Sequence, residues 1–406
     1  MRRQAKPKTT KKILFCSILV LLVIATTITL LNTSNKALQV NNSIKKTATT
    51  MPTWFEQVFG FAEPVRYPDA QACFQVHQGD KGEITLVTKA NPPRCFYVGK
   101  FETPSVQELH TRLFLSFGND ASAASSSSSP PSLGRLTFAH GTGEAYSMHL
   151  QAHNAGAVFQ AASQFNCLEM VSPAVKPADG ITRYAADHTQ GPACALACPA
   201  ATVYRNYFVH DGQGQGSGHQ IDTMQDVGHI LGNHQDRYWK MQNGYLLPAS
   251  DQAMAYLAHY MTTKAEPQVI ADARNALRVG VHWSTQVSNY ADGSAVHNIT
   301  QVYCSAIPIG YSQLPEQHFE PLAQLVLQGL YEATLGVAAV LSQQRQARVR
   351  VYLTKVGGGV FGNPDEWIAA AIHRALQIFQ NYPLDVVLVH YGRICEYYEE
   401  ALPPVY

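Results

Sequence analysis

The stretch Val356-Gly357-Gly358-Gly359-Val360-Phe361-Gly362-Asn363-Pro364 decides the reading of this chain. It lies between an apolar strand pattern, Val349-Arg350-Val351-Tyr352-Leu353, and a helix pattern that opens at Asp365. Glycines in a strand-to-helix turn leave backbone N–H groups free and let a ligand approach the main chain. Such a turn is a ready cradle for a phosphate or diphosphate. The same residues can also serve only to turn the chain.

Outward from this turn, strand and helix patterns alternate. Ala155 to Ala162 is small and apolar, as a buried strand would be, and a further strand lies within Val296–Ile309. Leu322, Leu325, Val326, Leu330, Ala333, Val337 and Leu341 recur at helical spacing, and Ile368, Ala371, Ile372, Ala375, Leu376 and Phe379 share one helical face. Leu384 to Val389 closes the series as a strand. The alternation predicts an α/β domain over residues 133–406, layered helix–sheet–helix, with a mainly parallel mixed sheet. Ligands in such sheets sit at the carboxyl ends of the strands, where the glycine turn falls. Residues 51–132 are expected as an N-terminal extension. It holds strand-like runs at Glu83–Val87 and Arg94–Val98 and ends in a flexible loop, Ala121–Pro131, with five consecutive serines. There is no internal repeat.

The strand, the run Gly359-Val360-Phe361-Gly362-Asn363-Pro364 and the amphipathic helix and strand after it resemble the last third of a macrodomain. In that family a G-[VI]-[FY]-G-x-P loop wraps the diphosphate and distal ribose of ADP-ribose. The resemblance carries those contacts to Gly358, Gly359, Val360, Phe361 and Gly362. Asn363 stands where an aromatic residue is often found. The family's other signature, Asn-Ala-Ala-Asn before a glycine run, is replaced here by Phe159-Gln160-Ala161-Ala162-Ser163-Gln164-Phe165-Asn166-Cys167-Leu168-Glu169, and then by Asp179 to Ala193. The two blocks together resemble a divergent branch of macrodomain-like ADP-ribosyl hydrolases. That branch includes bacterial effector enzymes acting on ADP-ribosylated arginine. The resemblance spans about residues 143–392.

What the resemblance implies is an ADP-ribose-binding protein that hydrolyses ADP-ribose from a modified protein, with arginine as one candidate linkage. The alternative is a binding module with the same pocket and no turnover. Hydrolysis of an ADP-ribosyl bond needs an anchored diphosphate, a positioned water and stabilisation of an oxocarbenium-like centre. The glycine loop supplies the first, and a carboxylate is expected for the others. The candidates are Asp187, Asp179 and Glu169. Asp187 ranks first because Thr189-Gln190-Gly191 gives its loop a tight, hydroxyl-bearing path. Asp179 stands in an Asp-Gly pair that is also an ordinary turn. Glu169 can instead be a ribose or structural contact. Gln164, Phe165, Asn166 and Thr189 are expected to line the pocket or orient the distal ribose, with Phe165 serving equally as core. No cofactor and no metal are expected.

Bulk properties set the remaining limits. The chain has 406 residues, is 46% hydrophobic and 15% charged, and carries a net charge of +1. A sizeable core is therefore available, and bulk electrostatics give no footprint for nucleic acid. Basic residues from Arg2 to Lys12 precede an uncharged run, Ile13–Leu31, long enough to span a bilayer. This predicts a cytosolic tail (1–12), a signal anchor (13–31) and a stem (32–50), with the rest lumenal or extracellular. A cleaved signal and a secreted protein form the rival reading. Sequons at Asn32, Asn41 and Asn298 are compatible with either. Cys73 and Cys95 flank a strand-like stretch and could pair in an oxidising compartment. Cys194 and Cys198 read as buried small residues. Asp211 to His219 is glycine-rich but lacks the G-x-G-x-x-G spacing, and reads as a flexible surface loop. Neither G-x-S-x-G nor H-E-x-x-H occurs, which removes the usual warrant for a serine hydrolase or zincin.

Overall fold

A computed structural model describes residues 51–120, 133–216 and 218–405. The expected tail, span and stem, and the serine-rich part of the extension, lie outside the described residues.

Eleven strands are present among the described residues. They are β1 (Phe74–Gln78), β2 (Ile84–Thr88), β3 (Cys95–Glu102), β4 (Thr137–Thr142), β5 (Val158–Ala162), β6 (Trp239–Gln242), β7 (Tyr245–Pro248), β8 (Gly280–Ser288), β9 (Ala295–Cys304), β10 (Val349–Leu353) and β11 (Leu384–His390). β6 and β7 form a separate hairpin, and the other nine make one sheet in the order β1-β2-β3-β8-β9-β5-β10-β11-β4. From β9 to β4 every neighbouring pair is parallel. From β1 to β9 every pair is antiparallel. The strands expected within residues 51–132 are thus hydrogen-bonded into the same sheet as the rest, and from Thr53 onward the chain forms one unit.

The strands of the parallel half alternate between two apolar cores, as the two-residue side-chain period requires. Val158, Val302, Val351, Leu353, Val386 and Leu388 enter one core, while Phe159, Ile299 and Tyr352 enter the other. Both faces are therefore covered, which is why these strands read as nearly continuous apolar runs. Twelve helices are described: α1 (Trp54–Phe59), α2 (Tyr67–Ala72), α3 (Val106–Asp120), α4 (Ala145–Leu150), α5 (Gln190–Ala197), α6 (Pro199–Tyr207), α7 (Gln225–Leu231), α8 (Asp251–Thr263), α9 (Pro267–Ala276), α10 (Glu320–Arg345), α11 (Asp365–Ile378) and α12 (Glu396–Ala401).

Helix α10 is the centre of the first core. Pro321 opens it, where a missing N–H costs nothing, and Gln346 closes it in the left-handed conformation at φ 48°. It is apolar on nearly every side because it is enclosed on nearly every side. Among the described residues it is the one helix long and apolar enough to cross a membrane, yet 94% of its most apolar window is buried inside the fold. Its Glu332 is buried but not alone: His110 lies 2.7 Å away, and Arg374 and Arg274 flank it.

Cys73 and Cys95 are free thiols. Phe74 pairs with Thr88 and Val87 with Cys95, so strand β2 runs between the two cysteines. Two strand spacings amount to about 9.5 Å, beyond the Cα separation of about 7 Å that a disulfide can bridge.

Candidate functional site

The parallel half of the sheet splits near its carboxyl end. β5 runs beside β9 through all of Val158–Ala162. It meets β10 only at Val158–Val351 and Phe159–Tyr352. Beyond Phe159 the backbone of β5 on that side needs other partners. Gln190, the first residue of α5, provides them. Its Oε1 accepts from Ala162 N and its Nε2 donates to Gln160 O, each at 2.8 Å. Gly191 makes the approach possible: a Cβ there would lie 1.9 Å from Ala162 O.

A cleft opens at this split and encloses about 740 Å³, part of it open to solvent. One wall is the glycine turn, with Val356, Gly357, Gly359, Val360 and Phe361 on the surface and Lys355 beside them. The opposite lining comes from the β5–α5 connection: Gln164, Glu169, Asp187, Thr189, Gln190 and Gly191.

The turn is held by its own hydrogen bonds. Val356 N donates to Tyr331 Oη at 3.1 Å, and Tyr331 in turn donates to Thr354 O at 2.8 Å. Gly358 N donates to Lys355 O, Gly362 N to Gly359 O and Asn363 N to Gly357 O, at 3.1, 3.0 and 2.9 Å. The N–H groups of Gly357, Gly359, Val360 and Phe361 have no partner among the described residues. Four backbone amides without a partner among the described residues thus lie on one lining loop of the cleft. The first turn of α5 borders the same cleft and adds its dipole.

Seven of the residues expected to act in the site line this cleft: Gln164, Glu169, Asp187, Thr189, Gly359, Val360 and Phe361. Six do not. Asp179 is exposed, and its Oδ2 accepts from Lys176 N at 2.9 Å, so it closes a turn. Phe165 is buried in the first core. Asn166 is buried and folds its own turn, accepting from Leu168 N at 3.1 Å and donating to Gln220 Oε1 at 2.9 Å. Gly358 is turned towards α11, where a Cβ would meet Ile368 Cδ1 at 3.1 Å. Gly362 takes φ +71° and faces Gly310, whose backbone N would lie 3.2 Å from a Cβ there. Asn363 latches the turn from beneath, its Nδ2 donating to Ile307 O at 2.8 Å and Gly357 O at 3.2 Å. A stacking aromatic at that position would lose the latch.

The two carboxylates of the cleft sit in contrasting surroundings. Asp187 is half-buried. Its Oδ1 accepts from Thr189 N and Thr189 Oγ1 at 2.9 and 2.7 Å. Glu169 is fully buried. Its Oε1 lies 3.3 Å from Arg205 Nη2, and its Oε2 has no partner among the described residues. Burial pushes the Glu169 carboxyl up to about 7, against the opposing pull of Arg205. Arg205 is itself held by Cys167 O at 2.7 Å and by the ring of Tyr303, 3.6 Å beneath its guanidinium. Tyr245, Tyr311 and Phe361 pack ring against ring at one edge of the cleft, 5.4–5.7 Å apart.

Several of these residues escaped the sequence reading. Gln160 is a buried polar residue inside an apolar strand, and Arg205 is a lone charge in the otherwise uncharged α6. Each was a visible signal, because a buried polar group must have a partner. The glycine-rich 211–219 segment, expected as a surface loop, is exposed at residues 211–213 and 218–219 but turns inward at Gly214 and Gln215. Gln215 is fully buried, donating to Asn166 O and Arg205 O and accepting from Ile221 N, each at 3.0 Å. Gly214 and Gly216 let the chain pass close to Tyr67, where a Cβ would lie 2.2 Å from its Oη and 2.4 Å from its ring, respectively.

No protein-family model matches this chain, and no curated protein sequence matches it. Among solved structures, a poly(ADP-ribose) glycohydrolase from Deinococcus radiodurans in complex with ADP-ribose aligns over 75% of this chain and 94% of that chain, at 9% identity and a TM-score of 0.40. A poly(ADP-ribose) glycohydrolase from Thermomonospora curvata aligns over 77% and 87%, at 13% identity and a TM-score of 0.36. The Thermomonospora curvata enzyme bound to the inhibitor ADP-HPD aligns over 80% and 91%, at 13% identity and a TM-score of 0.38. Likeness this distant carries no weight for function, which rests on the chemistry of the cleft.

Proposed function

We propose that the cleft binds ADP-ribose and hydrolyses the bond that joins it to a modified protein. One observation carries the reading: four backbone amides without a partner among the described residues share a cleft with two carboxylates, one of them buried with its Oε2 unpartnered among those residues. The amides of Gly357, Gly359, Val360 and Phe361 suit a diphosphate, whose charge the α5 N-terminus and Lys355 also favour. Asp187 Oδ2 has no partner among the described residues and can orient a water or steady the positive charge that develops at the ribose anomeric carbon. Glu169 holds a proton up to about pH 7 and can deliver it to the leaving group. In the arginine-linked case water oxygen bonds the anomeric carbon as the C–N bond breaks, the guanidine nitrogen takes the Glu169 proton, and the proton that the water gives up passes to Asp187 and then restores Glu169. The protein substrate and the arginine linkage rest on the resemblance of the Gln164–Glu169 and Asp187–Pro192 blocks to the arginine-directed branch.

A second reading, a binding module without turnover, draws on a different observation. Asp187 Oδ1 is already engaged by Thr189, and Glu169 Oε1 by Arg205. Calorimetry with ADP-ribose separates both readings from a glycine loop that only turns the chain. Micromolar binding, lost in Gly359→Glu, supports the site; no binding by the folded protein removes it. Release of ADP-ribose from ADP-ribosyl-arginine then decides between enzyme and module.

A further inference from the structure

The loop that carries Asp187 is a five-residue 3-10 helix, Thr182–Ala186, with Asp187 at its carboxyl end. Its buried Tyr184 accepts from Glu169 N at 3.2 Å, so the same element holds the main chain of Glu169 and carries Asp187 at its end. Nothing in the helix's own sequence caps its amino end: Ile181 has no side-chain acceptor to offer. The acceptor comes from more than a hundred residues away. Glu63 Oε1 and Oε2 accept from Ile181 N at 2.9 and 3.1 Å, and Oε2 accepts from Thr182 N at 2.7 Å. Tyr207 Oη donates to Glu63 Oε1 at 2.7 Å and fixes the carboxylate from behind. Trp54, in α1, donates its indole N–H to Thr182 O at 2.8 Å. Gly180 completes the arrangement. It takes φ +81°, and a Cβ there would lie 2.8 Å from Glu63 Oε2.

We propose that Glu63 is a positioning residue for the cleft: it caps the 182–186 helix from a distant part of the same chain and so sets where Asp187 stands. The segment before β1 then serves the active centre, although none of its residues lines the cleft. The assignment deepens the hydrolase reading and rests on it for its catalytic consequence. The cap itself is independent of that reading. Glu63 touches neither the glycine turn nor the α5 N-terminus, so its loss should disturb the carboxylate wall and spare the diphosphate wall. A misplacement of about 1 Å in a reacting group can cost about a hundredfold in rate.

The test is Glu63→Ala in the full chain, with Glu63→Gln beside it. Gln keeps one acceptor oxygen and turns an N–H₂ against the second amide, so its effects should be intermediate. Amide hydrogen exchange is measured over residues 181–189 and 354–363. Exchange should quicken in the first segment and stay unchanged in the second. Turnover of ADP-ribosyl-arginine should fall about tenfold to a hundredfold in kcat, while the calorimetric Kd for ADP-ribose stays within about twofold. Unchanged exchange at 181–189 overturns the assignment. So does a parallel loss of kcat and affinity with a lowered melting temperature, because that marks a merely structural residue. If the unaltered protein binds no ADP-ribose, the proposed function fails, and the exchange measurement still decides the cap.

Discussion

Gln190 donates its side-chain amide to the main-chain carbonyl of Gln160 at 2.8 Å, and this bond holds the sheet open rather than closed. Gln160 answers from the other side of the split, its own Oε1 accepting from Thr354 N at 3.1 Å. Two side-chain amides thus take over backbone bonds that β5 and β10 would otherwise make with each other. The cleft is the space that this substitution creates, and the glycine turn begins where Gln160 anchors Thr354.

Removing Gln190 should therefore cost stability as well as affinity. Gln190→Ala leaves Ala162 N and Gln160 O without protein partners, at about 1–3 kcal/mol for a buried unsatisfied group. Urea denaturation should show a lower midpoint at unchanged slope. A midpoint equal to that of the unaltered protein would mean that β5 and β10 simply re-pair, and the account of the cleft would fall.

The glycines of the turn are not interchangeable. A Cβ at Gly359 meets nothing within 4 Å, so Gly359→Glu should fold with an unchanged melting temperature. Its side chain places bulk and negative charge beside the free amides, and ADP-ribose binding should be lost. Gly357 takes φ +86°, and a Cβ there would lie 2.5 Å from Ala306 Cβ. Gly357→Ala should cost at least about 1–2 kcal/mol from the left-handed backbone alone. A Gly359→Glu protein that still binds ADP-ribose in calorimetry would remove the anion site from this wall.

Asp187 can be separated from the binding wall in the same way. Asp187→Asn keeps a side-chain oxygen for Thr189 N but gives up the charge. Turnover of ADP-ribosyl-arginine should fall by about two orders of magnitude, the usual range for a lost acid–base group, with ADP-ribose affinity nearly unchanged. An equal loss of both would make Asp187 a ligand contact, and undiminished turnover would take it out of the chemistry.

The strand–glycine turn–helix unit was legible because each part obeys a local rule: an apolar β10, free φ at Gly357 and Gly362, and an amphipathic α11. Glu169 and Asp187 were legible as carboxylates near that unit. What separates Asp187 from Asp179 was not, because both stand in turn-forming sequence and only tertiary placement puts one on the cleft. Asn166 and Asn363 misled for a related reason. An asparagine in a ligand-binding block and one bracing a turn look alike until its bonds to Leu168 or Ile307 are seen. The antiparallel half of the sheet was also hidden: the strands of residues 51–132 could be read singly, but their pairing with β8 is a long-range fact. Glu63 had no local signal at all, since its partners at Ile181 and Thr182 lie far along the chain.

Glu169 makes a pH prediction whose sign is fixed. Its carboxyl titrates at about 7 in the folded protein against 4.5 ordinarily, raised first by burial. The folded state therefore holds this proton more tightly than the unfolded chain does. The resulting stabilisation is full below pH 4.5 and is lost as pH rises through 7. A shift of this size corresponds to about 3 kcal/mol. Glu169→Gln is uncharged throughout and removes the titration. The melting temperature of the unaltered protein should fall relative to Glu169→Gln between pH 5 and 8, while other titrating groups affect both alike. Parallel curves would mean that Arg205 keeps Glu169 ionised across the range. Turnover adds a second readout. If the protonated carboxyl serves the leaving group, kcat should decline above about pH 7, with ADP-ribose affinity flat, and Glu169→Gln should be inactive at every pH.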